Sequence, residues 1–418
     1  VGEVASTTTD PYPGTNAKIP LATPLGKPKG LAAVLTWRKL PAWAARTGIR
    51  LAMSRGKPFR FGSTVLAVRH ADVTEALARD LDFRIQPVFA PKFDPIGYHF
   101  ILGMDRGVEL LDERRALYTA LARMDQDALR AAAARDIASR LSAAGQGPLD
   151  LVGDYARPVA GATASRLFGI GAGVGEDFLD AARAVFGNSF LNAGNDNGMT
   201  DRAFAAANRM SEWFEAEIAR RQATGQLGED MMGRLLQGGA SPNLTRRTLG
   251  GMLVGSIDTT ATCVAKVMAV LMDDGELRKR ATADVDDLAR MNGWCNEALR
   301  RWPHGPLLVR KAACDTELAG TTVEAGDTVM LWTQAAMLDP TVFPAPDELR
   351  PDRPFGGYLH FGGGLHPCAG RAINAWQIPL LVAELLRRNP VQIGDIQWAG
   401  PFPAHFPIHL AQTEGPQP

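Results

Sequence analysis

The chain has little cysteine, no excess of either charge, and no long apolar run. Four of its 418 residues are cysteine (Cys263, Cys295, Cys314 and Cys368), and no two form a Cys-x-x-Cys pair. That excludes a disulfide framework or a zinc ribbon and points to a reducing compartment, the cytoplasm. Lys plus Arg and Asp plus Glu number 45 each, giving a formal net charge of zero. Nucleic acid and anionic membrane surfaces are therefore not the expected partners. No uninterrupted apolar run reaches the ~18 residues that a membrane helix needs. The opening residues are polar and threonine-rich, so neither a leader nor a membrane anchor is expected. What remains is a hydrophobic content of 46% against 22% charged, the composition of a globular chain with a sizeable core.

Taken in order, residues 1–30 carry Pro11, Pro13, Pro20, Pro24 and Pro28, which predicts an irregular lead-in, and the length allows two or three average domains or one large one. Phe59 to Val68 reads as two short strands around Gly62-Ser63, and a helix opens at His70. Residues 84–108 mix prolines with Phe89, Phe93, Tyr98 and Phe100 and read as an irregular apolar loop, either a packed cover or a binding wall. Helical patterns follow from Leu110 to Met124 and through 125–240, broken at 145–147 and 169–175. The asparagine-rich stretch from Phe186 to Met199 reads as a mobile loop. The fold class is mainly α with small β-sheets.

Three stretches carry chemistry. Leu244 to Asp274 predicts one long helix, apolar almost all round, yet its middle holds Gly255-Ser256-Ile257-Asp258-Thr259-Thr260. Glycine there costs about 1 kcal/mol, and a buried aspartate needs a partner. A local rule broken in mid-core marks a functional place. The other reading is a Thr-Thr pair back-bonding to carbonyls one turn earlier and bending the helix. Glu297 and Arg300 share a helix face by i,i+3 spacing. Finally, Phe361 to Gly370 is a glycine-rich loop presenting Cys368 just before an apolar helix pattern. Loop amides and the helix N-terminus favour a thiolate there, a metal ligand; a structural cysteine in a glycine-rich turn is the alternative.

Phe361, Gly364, His366, Cys368 and Gly370 fill every fixed place of Phe-x-x-Gly-x-His-x-Cys-x-Gly. The stretch thus resembles the haem-binding loop of the cytochromes P-450. The resemblance implies a single-domain fold over 31–418 with haem b (iron protoporphyrin IX) between the long central helix and the cysteine-loop helix, and Cys368 as axial ligand. It implies Asp258 and Thr259 as the acid–threonine pair that delivers protons during oxygen activation, with Gly255 leaving room over the haem. Arg114, Tyr118, Arg310 and His366 become the expected propionate contacts, beside the loop residues Phe361 and Gly370. Glu297, Arg300 and Arg353 become a structural triad, and Val254, Leu307, Leu308 and Val309 the pocket wall. The implied activity is a monomeric, cytoplasmic monooxygenase that uses O2 and electrons from a ferredoxin and its reductase. It hydroxylates or epoxidises a small apolar molecule, and Arg114, Arg115 and Arg371 form the docking face. A peroxide-using peroxygenase or isomerase and a non-catalytic haem sensor are the alternatives. Three departures from the family pattern stand out: Ser256 for glycine, Arg114 with Tyr118 for a His/Arg pair, and Asn374 with Gln377 after the loop.

Overall fold

Acidic and hydroxyl side chains start many of the helices. Asp125, Asp196, Asp230, Ser241, Asp274 and Asp287 each accept a first-turn backbone N–H, satisfying donors that have no partner within the helix. Gly169 and Gly225 end two helices in the left-handed conformation. A computed structural model describes residues 42–170, 175–192, 194–399 and 402–411; the proline-rich lead-in over 1–30 lies outside them. The fold is mainly helical with small sheets, as the sequence predicts.

The strand pair around Gly62-Ser63 opens a five-stranded sheet. Its order is Phe59–Phe61, Thr64–Ala67, Thr328–Leu331, Leu308–Ala312, Phe83–Arg84. The 64–67 and 328–331 strands run parallel; the other pairs are antiparallel. Two large apolar clusters fill the helical body. One gathers Phe168, Phe186, Met210, Phe214 and Leu253; the other gathers Val264, Met268, Trp294 and Leu381. Burying each such side chain contributes roughly 1.5–3 kcal/mol. Between the two clusters lies a cavity of about 280 Å³.

Three sequence expectations give way. Residues 84–108 are not irregular throughout: a helix spans Gln86–Phe93, followed by single 3-10 turns at Asp94–Ile96 and Ile101–Gly103. Pro87 sits in the first turn, where its missing N–H costs nothing, and Asp105 caps the start by accepting from Ile85 N (2.9 Å) and Gln86 N (3.0 Å). The expected loop from Phe186 to Met199 is short. One helix runs on to Phe190 and the next starts at Asn197, because Phe186 and Phe190 pack into the aromatic lining. The long central helix is two helices, Pro242–Val254 and Asp258–Met272, broken at Gly255–Ile257. Taken together these two are long and apolar enough to cross a membrane, but 72% of their most apolar window is buried inside the protein.

Candidate active site

Side-chain hydroxyls repair the break in the central helix. Ser256 Oγ donates to Met252 O (2.6 Å), Thr259 Oγ1 to Gly255 O (2.5 Å) and Thr260 Oγ1 to Ser256 O (2.8 Å). Each bond reaches back one turn to a backbone carbonyl, and Met252 O also accepts from Gly255 N (3.2 Å). The back-bonding read from the Thr-Thr pair is thus present, and it does not withdraw the residues from the cavity. Gly255, Ser256, Thr259 and Thr260 all line it. Gly255 has open space on that side: an added Cβ would meet nothing nearer than its own helix's Met252 O at 3.7 Å. Thr260 Oγ1 also reaches Asn374 Oδ1 (3.1 Å) on the helix behind the cysteine loop.

Asp258 points the other way. It is buried, and its Oδ1 accepts from Arg157 Nε at 2.9 Å. Arg183 Nε lies 3.3 Å from the same oxygen, an ion pair without hydrogen-bond geometry. Burial pulls the Arg183 pKa down, against the pull of Asp258. Asp258 is therefore held away from the cavity that Thr259 lines. The sequence reading missed both arginines; a buried aspartate requires a cation, and Arg157 sits in an otherwise apolar run.

The cysteine loop lines the same cavity as Thr259. Cys368 N donates to Phe361 O (2.8 Å), which closes the loop, and the helix Arg371–Leu386 starts three residues later. Gly362 and Gly364 adopt positive φ (70° and 64°). At Gly364 a Cβ would sit 1.9 Å from Leu77 O, so only glycine fits both the conformation and the contact. The reason is a protein neighbour. The Cys368 thiol is open to the cavity yet surrounded by protein on the scale of several ångströms. Burial raises its pKa, while the N–H groups of Gly370 and Arg371 and the Arg371 charge pull it back. Donors are already aimed at the sulfur.

A second polar group flanks the loop. Arg114 donates to Leu365 O and stacks over the Tyr118 ring at 5.1 Å. Tyr118 Oη is buried and has no hydrogen-bond partner, and burial raises its pKa. Arg310 is buried with one hydrogen bond, to its neighbour's carbonyl (2.9 Å), and burial pulls it down to about 10. His366 lines the cavity; burial first, then Arg310 and Arg114, pull it down to about 4. The two arginines bond only main-chain carbonyls, the phenol bonds nothing and the imidazole is neutral, so donors are left over. That is what a group bearing carboxylates needs, so these residues fit haem.

Glu297 and Arg300 are wholly buried. Arg300 Nε and Nη2 bond the two carboxylate oxygens (2.7 and 3.0 Å), Arg353 Nε adds a third bond (3.1 Å) and Tyr358 Oη a fourth (2.8 Å). The arginines also bind the carbonyls of Met337, Pro344, Pro346 and Glu348, which ties down the segment leading into the cysteine loop. Of the expected pocket wall only Leu308 lines the cavity. Strand side chains alternate, so Leu308 and Arg310 share one face while Leu307 and Val309 turn away. Leu307 packs beside Ile49, Val68 and Trp332. Val254 is buried in the helical core.

The family model described as Cytochrome P450 matches residues 200–397, which hold the broken helix, the Glu297 triad and the cysteine loop. That stretch, just under half of the chain, is similar to the cytochrome P450 family. The chain is 29% identical to Cytochrome P450 109 of Bacillus spizizenii over 182 residues, 42% of this chain and 44% of that protein. To the Cyclooctat-9-en-7-ol 5-monooxygenase of Streptomyces melanosporofaciens it is 28% identical over 222 residues, 46% of this chain and 48% of the relative. The chain thus spans about half the length of these two P450s. The P450 fold extends further: the crystal structure of CalO2 superposes with a TM-score of 0.80 at 20% identity, covering 93% of this chain and 100% of that one.

Proposed function

We propose that this chain is a haem-thiolate monooxygenase that inserts one atom of O2 into a mainly apolar small molecule, and that residues 31–418 form its one haem domain. What carries the reading is that the Cys368 loop and the helix break border one cavity. Cys368 and Thr259 both line it, as do Arg114 and His366 of the carboxylate-binding set. Haem bound there would supply the oxygen-activating redox chemistry, tuned by a thiolate ligand.

The chain's own residues do the rest. The Gly370 and Arg371 amides and the following helix N-terminus stabilise the Cys368 sulfur as thiolate. Arg114, Tyr118, Arg310 and His366 hold the propionates of haem b, with Phe361 and Gly370 packing around the ligand loop. Thr259 offers a hydroxyl proton at the cavity wall, and Asp258, when it leaves Arg157, brings protons to it from the protein exterior. Phe93, Phe100, Phe190 and Leu308 supply the apolar surface for the substrate. Electrons come from a ferredoxin and its reductase, and Arg114, Arg115 and Arg371 supply the basic docking face. The Bacillus and Streptomyces relatives support a cytoplasmic enzyme, and we propose a monomer.

The test is the absorption spectrum of the reduced protein under carbon monoxide. A strongly red-shifted Soret band is expected in the wild type and its loss in Cys368→Ser. Protein that takes up no haem would overturn the reading.

A further inference from the structure

His304 stands in the turn between the Leu288–Arg301 helix and the Leu308–Ala312 strand. Pro303 and Pro306 stiffen that turn. Four successive carbonyls in it are gripped: Lys266 Nζ donates to Pro303 O (2.8 Å) and His304 O (3.2 Å), and Thr333 Oγ1 to Gly305 O (3.3 Å) and Pro306 O (3.0 Å). Lys266 itself is buried deep in the second half of the broken helix, over the Trp302 ring at 5.6 Å. A buried ammonium is costly unless paired, and here it spends its hydrogen bonds on holding this turn.

The imidazole is equally constrained. Its ring packs against Phe402 (4.9 Å) and Phe186 (6.3 Å), which pack on each other at 5.0 Å. His304 lines the cavity, yet Nδ1 is sealed from solvent without a partner. Nε2 is then the atom left to meet a bound molecule. Burial pulls the ring down to about 3, so it stays neutral at working pH and does not call for a carboxylate. The cavity surface around it is dominated by phenylalanine and aliphatic groups. A rigid, neutral, unpaired hydrogen-bonding group in such surroundings discriminates between ligands, because a ligand that cannot match it leaves it unmade.

We propose that His304 is the polar anchor of this cavity, taking an uncharged hydroxyl or carbonyl oxygen of an otherwise apolar substrate, and that Lys266 positions it. The word substrate rests on the monooxygenase reading above; the binding claim stands apart from it. The test compares adamantane, 2-adamantanol, 2-adamantanone and adamantane-1-carboxylate on the haem-loaded protein. Binding is read by calorimetry, and the carbon monoxide spectrum is recorded separately. The alcohol or the ketone is expected to bind about tenfold tighter than the hydrocarbon, the worth of one hydrogen bond. His304→Phe should erase that ratio. His304→Asn should keep part of it, and Lys266→Met should shrink it with the hydrocarbon's affinity unaffected. Equal affinities in the wild type, a ratio that survives His304→Phe, or tightest binding of the carboxylate would overturn the proposal. A missing red-shifted band with the ratio intact would instead sink the haem-thiolate reading alone.

Discussion

Arg157 Nε and Asp258 Oδ1 meet at 2.9 Å, both side chains less than a tenth exposed. The acid that begins the second half of the central helix is therefore locked to a helix 101 residues earlier, one residue from a threonine that faces the cavity. If Asp258 relays protons as proposed, the pair would have to open for each transfer, which would make this brace a gate as well.

Asp258→Asn should destabilise the fold by roughly 3 kcal/mol, because Arg157 and the largely buried Arg183 lose their counter-charge. The measurement is the urea midpoint, with the slope unchanged. A midpoint equal to wild type would mean that the pair carries no net stability.

Thr259→Ala keeps the helix break, since Ser256 and Thr260 still bond back to their carbonyls, but removes the hydroxyl at the cavity wall. More of the electrons should then end as hydrogen peroxide, with less product formed per NADH. Unchanged coupling would remove Thr259 from proton delivery.

Glu297 has its pKa lowered: burial pushes it up, and the Arg300 bonds and charge, the Arg350 N–H and Tyr358 more than reverse this. A depressed carboxylate contributes stability that is present above the ordinary glutamate value of 4.5 and lost as pH falls through the lower folded value. Wild type should therefore lose stability steeply below about pH 4.5, and Glu297→Gln should show a flatter acid limb and a lower plateau at neutral pH. Parallel pH profiles would contradict this.

Gly364→Ala and Gly48→Ala should move in opposite directions. At Gly364 the added carbon meets Leu77 O at 1.9 Å with φ at +64°, so the cysteine loop must shift and haem uptake should fail. Gly48 lies within the Ala42–Ser54 helix with nothing within 4 Å of an added carbon, so alanine should stabilise by about 0.5–1 kcal/mol. Thermal melts and haem content of the two variants check both.

The sequence by itself determined the parts whose logic is local. Phe361 to Gly370 spells a loop because glycines, a cysteine and a helix start fall within ten residues. Glu297 and Arg300 pair because i,i+3 spacing puts them together whatever surrounds them. Gly255 marked a costly place in the central helix through propensity alone, though the break into two helices was not legible there. Alternation along Leu307 to Arg310 was legible too, and it would have assigned Leu308 and Arg310 to one face.

Tertiary structure decided what lies between distant segments. The helix Gln86–Phe93 forms against its prolines because Asp105 caps it from outside. Asp258 turns from the cavity because Arg157 and Arg183 arrive from other helices. Gly364 is required by the Leu77 carbonyl, and His304 is aimed by Lys266 from a helix some forty residues before it. Composition and periodicity report which face of an element is apolar, but not which charge or carbonyl another element will bring to it. That information exists only once the chain has closed on itself.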